Sequence, residues 1–165
     1  MIHSIKQNID IPVQVTSKSQ SICGLGTFTR YEVKDNKIPV GYVDLQDTPR
    51  GCHVMYIKNQ NPKLYKGFGN VADQIEVEHC MKRYIESPII TSEAKFNTHI
   101  LHYKRGKKFV NEGVNVLIQD IIEHLKKGEQ VMTNYLGASK MYMPKNMINE
   151  IREKIKIAPL LKGLK

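Results

Sequence analysis

An α/β chain of the α+β kind, with a central mixed but mainly antiparallel sheet flanked by helices and further helices at the C-terminus, is predicted by three observations. β-rich runs follow one another between Thr27 and Ile57 with only short turns between them, which makes them antiparallel neighbours. A glycine loop then opens onto a helix-forming run followed by another strand, so that helix can cross over and make the strands on either side parallel. Two amphipathic helical runs occupy much of the chain past Asn111. The length of 165 residues suits one domain, 1–165, with a core over about 27–110 and a helical extension over about 111–165.

Ile9, Ile11, Val13 and Val15 alternate with Asp10, Pro12 and Gln14, the pattern of a short edge strand where proline costs no ladder bond. Thr16 to Gly26 is polar and reads as a loop. Phe28, Tyr31 and Val33 lie in a strand that ends at Lys34-Asp35-Asn36-Lys37, and a run from Ile38 to Leu45 pairs with it as a hairpin. Asp47-Thr48-Pro49-Arg50-Gly51 is a turn, and Cys52 to Ile57 is a third strand. Helix-forming residues run from Asn70 to Tyr84 without a breaker until Pro88. Ser87 to Ser92 reads as a strand, Lys95 to Arg105 as a helix stopped by Gly106, and Lys107 to Val110 as a further strand. Val114, Leu117, Ile118, Ile121, Ile122 and Leu125 form the stripe of a helix ending at Gly128. Glu129 to Leu136 reads as a last strand, and Pro144 opens a final helix carrying Ile148, Ile151 and Ile155 before Pro159.

Composition narrows the function classes. With 41% hydrophobic and 25% charged residues the chain is globular rather than disordered. No apolar run is long enough to span a bilayer and the first residues lack a secretory core, so a cytoplasmic protein without a membrane partner is expected. Cys23, Cys52 and Cys80 form no Cys-x-x-Cys pair and read as buried thiols, and no metal site is expected from them or from His53, His79, His99 and His102. The protein is basic, with a net charge of +9, and unevenly so: residues 1–100 carry 12 Lys and Arg against 10 acids, residues 101–165 carry 13 against 6. Such a field attracts polyanions, whether nucleic acid, acidic protein or a phosphate-rich coenzyme.

The stretch from Lys58 to Gly69 carries the sharpest chemical signal. Gly67 and Gly69 allow a tight turn with exposed N–H groups, and the helix from Asn70 adds the positive end of its dipole. Together they make an anion cradle, with Lys63 and Lys66 beside it. A dinucleotide fingerprint would want a third glycine, and a nucleoside triphosphate loop would want Gly-Lys-Ser/Thr.

This order of hairpin, strand, glycine loop, helix, strand and helix resembles the core of the GCN5-related N-acetyltransferase superfamily over roughly Thr27 to Val110. Leu64-Tyr65-Lys66-Gly67-Phe68-Gly69 is similar to that family's Gln/Arg-x-x-Gly-x-Gly/Ala loop, with Leu64 in place of Gln or Arg. Val40-Gly41 looks like its central hairpin, and Asn97 through Tyr103 looks like its coenzyme-contacting helix, one residue shorter than usual. A helix stands where the family's last hairpin strand would be, and the N-terminal region is too short for its usual two helices. The resemblance implies a divergent member that moves an acetyl group from acetyl-coenzyme A to an amine acceptor without a metal. The coenzyme would meet Ile57, Lys58, Asn59, Leu64, Tyr65, Lys66, Gly67, Phe68, Gly69, Asn70 and Asn97.

Attack on a thioester needs a neutral amine, a donor to the developing oxyanion and an acid for the leaving thiolate. Backbone N–H groups near Ile57 to Asn59 are candidates for the oxyanion if the strand splays there, and Tyr103 is the candidate acid. Glu32, His53 and Glu76 are all of the right type for a base. The alternative is a catalytically silent basic module of the same fold that binds nucleic acid or a protein partner, with Tyr135 and Tyr142 among Lys127, Lys140 and Lys145 as stacking residues.

Overall fold

The computed structural model describes residues 1–94, 98–131 and 139–162. A polar edge strand begins the main sheet. β3 (Gln14–Ile22) pairs residue for residue with β4 (Gly26–Asp35), so the stretch expected to be a loop from Thr16 is ladder almost to its end. Nearly all of it is exposed, which is why no alternation marks it. The hydroxyls of Ser19 and Thr29 meet across the hairpin at 2.9 Å instead. β4, β5 (Ile38–Thr48) and β6 (Gly51–Asn59) then form the expected antiparallel meander.

After β6 the chain runs through β7 (Tyr65–Lys66) into helix α1 (Phe68–Lys82) and returns as β8 (Ile89–Ala94), parallel to β6. α2 (His99–Arg105), β9 (Lys108–Phe109), α3 (Glu112–Lys126), β10 (Ser139–Tyr142) and α4 (Lys145–Ile157) follow. The main sheet has the order β3-β4-β5-β6-β8-β10-β9. A second, small sheet pairs β7 with β1 (Ile2–Ser4), which in turn pairs with β2 (Ile9–Ile11). Two further positions differ from the sequence expectation. A strand lies at 139–142; of the strand expected over Glu129 to Leu136, residues 129–131 are not in a strand and 132–136 lie outside the described residues. Tyr84, expected as an apolar helix residue, lies beyond α1 and is 93% exposed.

α1 is buried along nearly its whole length, against the sheet on one side and α4 on another. Its apolar residues Val71, Ala72, Ile75, Val77 and Cys80 join Tyr31, Val33, Val43, Leu45 and Val54 of the sheet and Ile148, Ile151 and Ile155 of α4 in one core. Cys80 lies 3.8 Å from Cys52 of β6, both buried, whereas Cys23 is exposed. A second cluster forms around Phe109, Ile118, Ile122 and Met141, beneath α2 and α3. Here Asn115, a polar residue on the buried face of α3, hydrogen-bonds both the N–H (2.8 Å) and the carbonyl (2.9 Å) of Phe109, acting as a side-chain ladder partner for β9.

The polar side chains of α1 are equally committed. His79 sits between Tyr31 (2.7 Å) and Asp47 (2.5 Å). Glu78 accepts from the N–H groups of Leu160 (2.9 Å) and Leu161 (3.1 Å), tying the chain beyond α4 back to α1. Among the described residues no helix is long and apolar enough to cross a membrane.

Gly41 fixes how close α1 approaches the sheet. A Cβ there would meet the Lys58 carbonyl and, at 2.7 Å, the ring of Phe68, the first residue of α1. Gly41→Ala is therefore expected to destabilise the fold by about 1–3 kcal/mol through overpacking, read as a lower urea midpoint with an unchanged slope.

Candidate functional site

The site begins with an interruption of the sheet. β6 and β8 are paired only from Gly51↔Ile89 to Val54↔Ser92, although β6 continues to Asn59 and β8 to Ala94. Next to the last paired position, the ladder with β5 shifts register: Asp44 faces Tyr56 and Leu45 faces Val54, which leaves Met55 as an extra residue. A bulge bends its strand and increases the local twist. β6 stays with β5 and β8 with β10, so the two parallel strands part. Between them lies a cleft of about 170 Å³ lined by Met55, Tyr56, Ile57, Ser92, Glu93 and His102 among others. The pairing of β6 with β8 ends at Val54, ahead of the stretch from Ile57 to Asn59 whose N–H groups are candidate oxyanion donors only where the strand splays.

Adjoining it is a larger cavity of about 430 Å³ where the glycine loop meets α2. Ile57, Asn59, Gly67, Phe68, Gly69 and Asn70 line it together, drawn from β6 and the start of α1. Gly67 has φ of 85°, a left-handed conformation that turns the chain from β7 into the helix. The N–H groups of Asn70 (3.1 Å) and Val71 (3.4 Å) bond back to the Gly67 carbonyl. The N–H groups of Phe68 and Gly69 belong to the first turn, which has no intrahelical acceptors, and they carry the positive end of the helix dipole.

Other predicted residues stand apart from this group. Lys58, Leu64 and Lys66 are exposed and absent from the cavity lining. Tyr65 is buried beneath the loop, with its hydroxyl donating to Asp35 at 2.8 Å. Asn97 and Tyr135 lie outside the described residues. Tyr103 is on the side of α2 that packs on the second core cluster, its ring 6.5 Å from that of Phe109. Of the candidate bases, Glu76 is wholly buried, His53 is half-buried against the Thr91 hydroxyl at 2.8 Å, and Glu32 is 4.0 Å from Lys34.

Arg105 and His102 also line the cavity; neither was expected at the coenzyme, and His102 was weighed only as a metal ligand. Arg105 lies against Gly69, where a Cβ would come within 2.6 Å of its Nη1. Its Nε donates to Asp73 at 2.7 Å and its Nη2 donates to His102 Nδ1 at 2.8 Å. His102 lines both the cavity and the cleft. Burial, reinforced by Lys107 and Arg105, pushes the His102 imidazole down to about 3, so it is neutral at physiological pH. The sequence held a partial signal. Asp73 and Glu76 sit at i,i+3 among the apolar residues of one helix, and acids on a buried stripe imply cations facing them.

Those cations are Arg105 and Lys107. The Lys107 ammonium is 3.3 Å from Asp73 Oδ1 and 3.1 Å from Glu76. Desolvation works against the charges of Asp73 and Lys107, but the facing partners hold the Asp73 carboxyl below its usual range and the Lys107 ammonium above its own. For Glu76 burial dominates, and its carboxyl is pushed up to about 7.

No family model and no curated protein matches the chain. Among solved structures it is similar to an acyl-CoA N-acyltransferase from Pseudomonas aeruginosa, at 10% identity over 74% of each chain with a TM-score of 0.47. It is also similar to a putative acetyltransferase of the GNAT family from Bacteroides thetaiotaomicron, at 16% identity over 85% of this chain and 77% of that one, with a TM-score of 0.34.

The charge cluster has a pH signature. Because the folded state holds the Glu76 proton more tightly than the unfolded chain, its stabilising contribution is complete below about pH 4.5 and is lost as pH rises to about 7. Urea titrations of the wild type and Glu76→Gln should show the difference in unfolding free energy moving against the wild type across that window and levelling above it. A difference independent of pH would show Glu76 to be ionised throughout.

Proposed function

We propose that the chain is an acyl-coenzyme A-dependent N-acyltransferase, with acetyl-coenzyme A as donor and an amine as acceptor. The observation that carries this is the divergence of β6 from β8 at the Met55 bulge, directly beside the glycine-led start of α1. A splayed parallel pair exposes backbone donors and acceptors on the inner edge of β6, and an amide-bearing arm laid between the strands replaces the lost ladder. The adjoining cavity suits the other end of such a ligand. It combines first-turn N–H groups, a helix dipole and the Arg105 guanidinium, all complementary to a pyrophosphate.

In this reading Arg105 supplies the charge that Leu64 does not. A guanidinium held by Asp73 and lying on Gly69 is already oriented, so little entropy is lost when an anion arrives. N–H groups of β6 beyond the bulge face the carbonyl of a thioester held in the cleft and stabilise its oxyanion as the amine attacks. Glu93, at the cleft and exposed, is available to receive a proton from the incoming amine. The net charge of +9 favours encounter with a polyanionic coenzyme, most strongly at low salt.

Calorimetric titration with acetyl-coenzyme A tests the reading. Saturable binding that weakens with added salt is expected, and none at millimolar coenzyme would sink it. Arg105→Ala should weaken binding by about 10- to 100-fold, the worth of a charge-assisted hydrogen bond to an anion. An unchanged affinity would remove Arg105 from the phosphate site.

A further inference from the structure

We propose that His102, held as the Nε2–H tautomer by Arg105, is the hydrogen-bond donor to the coenzyme sulfur at the junction of cavity and cleft. The role rests on the coenzyme reading above and goes beyond it in assigning a residue to the leaving group. Arg105 has donors only, so the 2.8 Å contact from its Nη2 obliges His102 Nδ1 to accept. In a neutral imidazole the remaining hydrogen is then on Nε2. His102 lines both the loop cavity and the cleft, so it stands where the two meet along the path of an extended ligand.

The surroundings keep the imidazole in this state. Lys107, Arg105 and His99 oppose its protonation and Asp73 favours it, with burial the largest influence and the balance strongly toward the neutral ring. Glu93 borders the same cleft from β8. Asp73 holds Arg105 from the other side at 2.7 Å, so Arg105 is a positioning residue for His102 as well as a cation for phosphate. Tyr103, the next residue, is turned toward Phe109 and the second core cluster.

The step balances without an ionised histidine. The acceptor nitrogen forms the C–N bond, the thioester C–S bond breaks, and sulfur takes the electron pair. His102 Nε2–H donates to the thiolate and keeps its own proton. The proton lost by the acceptor nitrogen reaches sulfur through solvent, giving an amide and a free thiol.

Coenzyme A itself is the probe, since a donor to the thiolate raises its population in the bound state. With the protein saturated, ultraviolet titration of the thiolate should show about tenfold more thiolate than free coenzyme at a fixed pH below the thiol's midpoint. His102→Ala should abolish most of that excess. His102→Gln, which places an amide N–H at similar reach, should restore part of it and guards against misfolding of the alanine variant. Nitrogen-15 spectra of the imidazole should show the neutral Nε2–H form in the wild type and a mixture of tautomers in Arg105→Ala. Failure of the wild type to bind millimolar coenzyme A would bring down the coenzyme reading together with this role. Binding with a thiolate fraction indifferent to His102→Ala would overturn the His102 role alone, as would loss of the excess in Tyr103→Phe.

Discussion

The buried ammonium of Lys107 is the interaction on which the geometry of the site depends. A charge this deep is tolerated only if opposite charges lie within contact distance, since its effective desolvation still costs several kcal/mol. Asp73 supplies that charge from α1 at 3.3 Å, and Glu76 accepts a hydrogen bond from the ammonium at 3.1 Å. Lys107 follows Gly106, the C-cap of α2, so pairing it with α1 fixes the end of α2 against the middle of α1. Arg105, two residues earlier, is then brought onto the other oxygen of Asp73 and across the Cα of Gly69. Without a side chain at residue 69 the guanidinium can lie there, and with one it would have to move. The loop cavity is bounded in this way by a charge cluster whose anchoring member lies in the core.

A second constraint acts from the sheet. The Met55 bulge sits where β6 loses β8, so one extra residue converts a closed parallel pair into an open cleft. The strands can part because each retains another partner, β5 for β6 and β10 for β8. The backbone groups facing the opening are therefore the accessible polar groups of otherwise paired strands. Arg105 of the charge cluster lines the cavity, Met55 of the bulge lines the cleft, and His102 touches both compartments.

Much of this architecture was legible in local patterns. The meander from Phe28 to Ile57, the crossover by α1 and the stripes of α3 and α4 were read from alternation, turn residues and helical spacing, because each buries one face. β3 was missed for the complementary reason: both its faces are largely polar, and only its partner strand reveals it. Along α1 the period was indistinct because the helix is buried nearly all round, and its acids are matched by partners about 30 residues away in sequence. The glycine loop was recognisable because its chemistry is local. Arg105 and His102 were not, since their place at the loop follows from a tertiary ion pair of which the spacing shows only the acids, Asp73 and Glu76 on one buried helix stripe.

Under the proposed function, an exposed Leu64 beside the glycine loop is understood through the position of Arg105. A cation on a flexible loop loses rotamer freedom when it closes on an anion, whereas Arg105 is already fixed by Asp73 and by His102. With the charge at the end of α2, Leu64 stands at the surface, while its carbonyl accepts from the Ile5 N–H at 2.9 Å and helps to hold β7 beside β1. The arrangement also joins two tasks in one side chain. In the proposed function the guanidinium that takes the phosphate at the start of α1 is the same one that sets the tautomer of His102. A change at the anion end can therefore alter the hydrogen-bonding face presented at the cleft without any movement of the backbone.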